Sequence, residues 1–414
     1  MSATERKIDL STWPFAAPLA RLMDILDRDG EEARVVGGAV RNALIDVPFH
    51  EVDVATTAVP EEVIRRARAA GFKPVPTGIE HGTVTVVIDK HPFEVTTLRT
   101  DVETFGRHAK VAFGRDWRED ALRRDFTMNA LSVSRDGTVH DYAGGLEDLA
   151  KRRVRFIGDA AQRIAEDYLR ILRFFRFHAA YGGGGHPDAD GLAACIAGRD
   201  GLAQLSRERL RMEMLKLVVA KHATPTLIVM SDAGFTLSIL AGVIYLAAFE
   251  NMTKVEAAAG LSADATRRLG ALGAAVIEDA ERLHQRLRLA NHERDRIRAM
   301  AEGWQGLSPA LSEREARALI YRRGAETFID QALLAWARSQ ATAHDAAWHE
   351  FVARPQRFTP PVFPLRADDF LKRGIAKGPA LGAALRVAEE AWIEADFPRD
   401  RAALEAIADR AVAG

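Results

Sequence analysis

The most constraining feature of the 414-residue sequence is a change of periodicity near Gly145. Upstream, short β-branched runs are separated by turns: Ala33–Val36, His50–Val54, Gly82–Asp89, Phe93–Leu98 and Asn129–Val133, after a helical stretch at Leu19–Arg28. The run GTVTVVID alternates in the manner of a strand with one buried face. Downstream, Ala, Leu, Arg and Glu recur at helical spacing, and β-branched runs become scarce. Glycine and proline clusters at Tyr181–Asp190, Gly303–Ser308 and Ala353–Pro364 punctuate that region. The pattern predicts an α+β chain: a head with a small mixed sheet and helices, then all-helical pieces. A chain this long exceeds one typical core and predicts two to four domains.

Composition narrows the function only a little. Lys and Arg (57) nearly cancel Asp and Glu (58), so any surface that attracts nucleic acid must be local. The single cysteine, Cys195, lies in the small-residue segment GLAACIAG; it cannot form an internal disulfide and points to a reducing compartment. The first residues, MSATERKIDL, lack the layout of a secretory signal. The most apolar stretch, Leu237–Phe249, is too short to span a membrane and is followed by Glu250, so it reads as one buried helix. These features predict a soluble, cytoplasmic protein with no membrane partner.

Two local patterns carry chemistry. In VVGGAVRN a strand end meets Gly37 and Gly38, and a helix start carries Arg41. Glycines let backbone N–H groups approach an anion, and a helix N-terminus favours negative charge. An ordinary strand–turn–helix fits the same residues. A few residues on, Glu51 and Asp53 stand at i and i+2, on one face if His50–Val54 is a strand. Adjacent carboxylates repel unless a hard cation such as Mg²⁺ lies between them, and a two-metal site of that kind serves nucleotidyl transfer. Glu94, inside Phe93–Leu98, is the candidate third carboxylate; a lone exposed glutamate is the competing reading.

The segment RIAEDYLRILRFFRF, Arg163–Phe177, reads as a single helix. At about 100° per residue, Glu166, Asp167, Arg170 and Arg173 fall within an arc of about 120°, opposite Ile171, Leu172 and Phe175. Ion pairing on a solvated face accounts for that spacing. An Asp–Arg pair that imitates a Watson–Crick edge accounts for it too, and would select C and A without a template.

VVGGAVRNAL, HEVDVAT, GIEHGTVTVVI, FEVTTLRTD, RRDFTMNALS and RIAEDYLRILRFFRF stand in the order and roughly the spacing of class II tRNA nucleotidyltransferases, the CCA-adding enzymes, with poly(A) polymerases as relatives. The chain resembles that family strongly over residues 33–180, and more weakly through Leu205–Leu217, Leu287–Ile297 and Phe363–Leu385. The resemblance implies a polymerase-β-like nucleotidyltransferase head at 1–143, a helical neck with the base-reading helix at 144–215, a helical body at 216–300 and a helical, tRNA-binding tail at 301–414. It implies that Gly37, Gly38 and Arg41 hold the triphosphate, that Glu51 and Asp53 bind Mg²⁺, and that Arg124 contacts the nucleotide and helps link head to neck. Asp167 and Arg170 would read the base, Glu166 would orient Arg170, and Arg173 and Arg176 would complete the nucleotide pocket.

The implied activity is template-independent addition of CMP, CMP and AMP from CTP and ATP to the acceptor end of tRNA. Lys151–Arg155 and the six arginines of Arg282–Arg298 are the candidate basic surfaces for RNA. Two positions depart from the family pattern. Glu51 replaces the first member of Asp-x-Asp, and the segment Phe105-Gly106-Arg107 stands where Asp-Gly-Arg is usual. The alternatives are a poly(A) polymerase, a partial CC- or A-adding enzyme, and a non-catalytic RNA-binding relative.

Overall fold

The computed structural model describes residues 6–413 apart from 106 and 107, and no side chain within 100–112. Gly106 and Arg107, which carry one of the two departures, lie outside the described residues, as does the side chain of Phe105. The chain forms two compact units, Met1–Ser238 and Ile239–Gly414.

The strands of the first unit are β1 (Ala33–Val36), β2 (Asp53–Thr56), β3 (Lys73–Gly78), β4 (Thr83–Ile88), β5 (His91–Thr97), β6 (Arg99–Phe105), β7 (His108–Phe113), β8 (Ser132–Ser134) and β9 (Val139–His140). Seven of them make one mixed sheet in the order β3-β4-β5-β2-β1-β8-β9, and β6 and β7 form a separate hairpin. The register lines up Val84, Val95, Val54, Val35 and Val133 across five strands. All five are fully buried. β-Branched side chains pack well on a pleated surface, and this row is the centre of the sheet's core. The β4–β5 connection is the two-residue turn Asp89-Lys90, both at positive φ, which matches the twist of a tight hairpin. The helices Ala16–Leu26 and Pro60–Ala69 touch one another; the first packs on β1 and the second on β4 and β5.

The same unit continues into helices Ala160–Glu166, Leu169–Tyr181, Ala189–Ala197, Arg207–Val218 and Ala223–Asp232. A cluster of Phe126, Phe156, Phe174 and Phe177 pins Leu169–Tyr181 against the segment that follows β7: Phe126 lies 4.9 Å from Phe156 and 5.4 Å from Phe177, and Phe156 stacks on Phe174 at 5.5 Å. Cys195 is buried in Ala189–Ala197, and burial pushes its thiol well above the ordinary range. That agrees with the expected small-residue packing.

The second unit is helical. One core gathers Met252, Phe328, Trp336, Trp348 and Phe351, with the two indoles stacked at 6.0 Å. A second gathers Trp392 and Ile407 of the helices Pro379–Glu394 and Arg401–Ala413 with Phe370 of the short helix Ala367–Leu371 and Phe397 of a connection. Between its helices runs a buried ionic network: Arg267 binds Glu256 and Asp330, Arg268 binds Glu256, and Arg296 binds Asp330 and Asp264. No helix among the described residues is long and apolar enough to cross a membrane.

Three expectations are corrected here. Leu237–Phe249 is not one buried helix: it divides between Phe235–Leu240 and Leu246–Ala258, and Leu237 and Val243 are exposed. Ala241 takes a positive φ, and Arg282 donates to the carbonyl of Leu240, so the helix stops there. His50–Val54 is not a strand throughout: β2 begins at Asp53, because its partner β1 ends at Val36 and Gly37 turns the chain away at φ 72. Glu51 therefore precedes the strand. Arg163–Phe177 is two helices, broken at Asp167, whose backbone is extended (φ −157, ψ 107).

Candidate active site

Strand register brings the first elements together. Asp53 opens β2 and stands beside Glu94 of the parallel β5 and opposite Val36 of β1. It lies one residue out of step with the valine row, so its side chain leaves the other face of the sheet. Immediately after Val36, Gly37 turns the chain and the helix Gly38–Leu44 begins. The strand ends and this helix start form the floor of a cavity of about 670 Å³ lined by Gly37, Gly38, Arg41, Glu51, Asp53, Arg123, Arg124, Asp125, Asn129, Asp167, Leu169, Arg170, Arg173, Arg176, Phe177 and Arg209. Seven arginines face four carboxylates there, a balance that draws in a polyanion.

The arginines have visible holders. Arg41 is buried and pushed down by desolvation; it donates to Asn129 Oδ1 at 2.5 Å, to Asn42 Oδ1 and to the Tyr181 hydroxyl at 2.6 Å, and stacks over the Tyr181 ring at 4.1 Å. Arg124 binds Asp120 at 3.1 Å and leans over the glycine turn, where a Cβ added to Gly37 would sit 3.6 Å from its Nη1. Burial raises the Asp125 carboxyl, but Arg173 and Asn129 outweigh it and hold the group below its usual range. Arg173 Nε reaches Asp125 Oδ2 at 2.7 Å. Arg176 pairs with the buried Glu213 and lies over the Phe177 ring at 4.2 Å.

The Asp53 carboxyl is pushed up, to about 6. Partial desolvation among the cavity's walls is the largest cause, although the residue stays open to solvent, then the charges of Glu94 and Glu51, with Arg124 opposing them. Two more carboxylates so near an acid favour its proton unless a cation replaces it.

The helix break organises the other wall. Asp167 Oδ1 accepts from Leu169 N at 3.0 Å, which starts the second helix. Both its oxygens also accept from Arg209, at 3.1 and 2.7 Å. Arg170 donates to Glu166 and to the carbonyl of Arg163 at 2.7 Å. Asp167 and Arg170 thus line one cavity, each held by a different partner.

Residues 33–155 match the family described as the poly A polymerase head domain, and residues 187–243 match the probable RNA and SrmB-binding site of polymerase A. The CCA tRNA nucleotidyltransferase 1, mitochondrial, of Mus musculus is 34% identical over 94% of this chain and 88% of its own length. The CCA-adding enzyme of Limosilactobacillus fermentum is 30% identical over 92% and 94%. The chain belongs to the CCA-adding tRNA nucleotidyltransferase family. Among solved structures, the Bacillus stearothermophilus CCA-adding enzyme in complex with CTP superposes with a TM-score of 0.77 at 27% identity, covering 95% of this chain and 96% of that one. Nucleotidyltransferases of this kind generally use a divalent metal.

Within this member of the CCA-adding family, the cavity gathers most of the residues singled out in the sequence: Gly37, Gly38, Arg41, Glu51, Asp53, Arg124, Asp167, Arg170, Arg173 and Arg176. Glu166 stands just behind, on Arg170. Glu94 does not line the cavity; it is exposed and acts on it through Asp53. Sequence reasoning missed Asp125, Asn129, Tyr181 and Arg209. The first two lie inside RRDFTMNALS, beside Arg124. Arg209 lies 42 residues beyond its partner Asp167, and no local spacing reveals that pair.

Several of the candidate RNA-binding arginines are engaged by partners within the protein. Arg153 and Arg155 both bind the buried Asp148. Arg282 binds Asp279 and two carbonyls, Arg294 binds Asp295, and Arg296 joins the buried network. Arg298 is exposed.

Proposed function

We propose that this protein adds CMP, CMP and AMP, from CTP and ATP, to the 3′ end of tRNA without a template. The observation that carries this reading is the single cavity in which the glycine turn, Glu51 and Asp53 face Asp167, Arg170, Arg173 and Arg176, in a chain aligned over most of its length with enzymes named for CCA addition.

The donor set suits Mg²⁺. Among the described residues no group of three or more His, Cys, Asp or Glu is arranged to hold a metal ion, yet this ion is commonly held by one or two carboxylates with substrate phosphates completing its shell. Glu51 and Asp53 supply the two, and a cation would relieve both the desolvation and the neighbouring charges that raise the proton affinity of Asp53. Bound there, Mg²⁺ would acidify the tRNA 3′-hydroxyl and offset charge on the phosphates.

The chain's own part is positioning. The N–H at Gly38, past the turn that Gly37 makes, and the guanidiniums of Arg124 and Arg173 hold the triphosphate, so that the 3′-oxygen attacks the α-phosphorus in line and pyrophosphate leaves. Arg41 underpins the turn from beneath, since its donors are already taken. Asp167 and Arg170 accept from and donate to the base edge and select C and A. A cytoplasmic location goes with this reading and rests on the reduced Cys195, while the mouse relative is named as mitochondrial.

Primer extension at single-nucleotide resolution tests the function. Transcripts ending at the discriminator base, at C or at CC, with Mg²⁺ and CTP, ATP or both, should gain C, C and A and then stop. Long A tracts would indicate a poly(A) polymerase, a halt after CC a partial enzyme, and no extension a non-catalytic relative.

A further inference from the structure

Arg163 does not line the nucleotide cavity, yet it holds both of that cavity's walls. Its Nη1 binds Glu166 Oε2 at 2.9 Å and Oε1 at 3.2 Å. Its Nη2 reaches the carbonyls of Leu122, at 2.5 Å, and Arg124, at 2.7 Å. Those carbonyls bracket the turn that aims the Arg124 side chain over Gly37. Arg170 in turn donates to Glu166 and to the carbonyl of Arg163 itself. One planar guanidinium with its donors in fixed directions therefore ties the residue facing the base to the residue facing the phosphates. Its Nε is buried and has no hydrogen-bond partner. Arg163 is held in a partly desolvated place, and burial pushes its pKa down.

We infer that Arg163 is a positioning residue for nucleotide selection: it sets Arg170, through Glu166, in a fixed place relative to the turn that carries Arg124. This rests on the CCA-adding reading above. A correct base edge engages Arg170 only if the α-phosphorus is in place at the same time, so selectivity and rate are linked through one side chain. A lysine in its place could pair with Glu166 but could not also reach two carbonyls, because its ammonium is a point donor on a flexible stem.

The test is steady-state incorporation of CTP, ATP, UTP and GTP by the full-length protein, with wild type, Arg163→Met, Arg163→Lys and Glu166→Gln compared. Wild type must first add C, C and A; failure there removes the reading and leaves this inference without a reaction. Given that activity, Arg163→Met should lower discrimination of CTP over UTP by about tenfold or more, with tRNA Kd nearly unchanged and the protein still folded, though at a lower thermal midpoint. Arg163→Lys should recover part of that discrimination but not kcat. Combined with Glu166→Gln, Arg163→Met should cost little more than either change alone, as for residues acting in one chain. Unchanged discrimination in folded Arg163→Met, or losses that simply add in the double variant, would overturn it.

Discussion

Asp53 and Glu94 stand side by side on the parallel strands β2 and β5, and their register, rather than any nearness in sequence, sets a second negative charge beside the cavity carboxylate. With Glu51 close by, this arrangement holds the Asp53 proton up to about 6 after the larger effect of partial desolvation.

That displacement makes stability depend on pH with a definite sign. A carboxyl whose pKa is raised by folding binds its proton more tightly in the folded state. The stability it contributes is present below its ordinary value of 3.8 and is lost as pH rises through about 6. In EDTA, the thermal midpoint of wild type should fall relative to that of Asp53→Asn across this window. Mg²⁺ should restore wild type near neutral pH and leave Asp53→Asn unmoved. Parallel curves for the two proteins in EDTA would remove the electrostatic argument.

Glu51 precedes β2 without strand pairing of its own, so its longer arm has room to reach the place an aspartate would take. Glu51→Asp should keep nucleotide incorporation within a few-fold of wild type. Glu51→Ala should lose about a hundredfold or more in kcat, as expected for removal of a group that stabilises developing charge. Equal rates for all three would mean that Glu51 is no ligand.

The Arg209–Asp167 pair should matter for substrate use more than for folding. Both groups are partly exposed, and such a pair contributes only about 1 kcal/mol or less to stability. Arg209→Met leaves Asp167 free to turn away, and kcat/KM for CTP should fall about tenfold while the thermal midpoint shifts by no more than about 2 °C. Loss of the folded state would instead assign the pair a structural role.

Gly145 offers a purely steric handle on the site. A Cβ there would lie 2.2 Å from the carbonyl oxygen of Thr127, two residues from Asp125 and from Asn129. Backbone cannot yield as a flexible side chain can, so Gly145→Ala should cost about 1–3 kcal/mol. It should also displace the loop that holds Arg41 and Arg173, lowering both the thermal midpoint and kcat. A variant with wild-type midpoint and rate would contradict the contact.

The readable part of this protein was the part governed by local pattern. Alternation and β-branching mark β4 to within a residue, because it buries one face, and the apolar run Ala33–Val36 marks β1, which is buried throughout. The glycine turn with Arg41 was equally plain. Pairing with distant chain was what stayed hidden. Glu51 fell outside β2 because β1 ends at Val36, opposite Asp53 and two residues short of the position that would face Glu51. The helix break at Asp167 looked continuous because the residues around it all favour helix; its cause is a carboxylate held by Arg209 from another helix. The inward-facing arginines of Arg282–Arg298 are likewise indistinguishable from RNA-facing ones until the carbonyls and carboxylates opposite them are known.

The row Val84–Val95–Val54–Val35–Val133 has a consequence for how the molecule goes wrong. Slipping any one of those strands by a single residue would turn its valine out and carry polar groups into the interior. The same slip at β2 or β5 would separate Asp53 from Glu94 and from the turn at Gly37. Misassembly of the sheet and loss of the reacting groups are therefore one event. A badly folded copy should be silent, rather than an active enzyme that writes wrong ends onto RNA, and a cell would need no separate device to guard against the second kind.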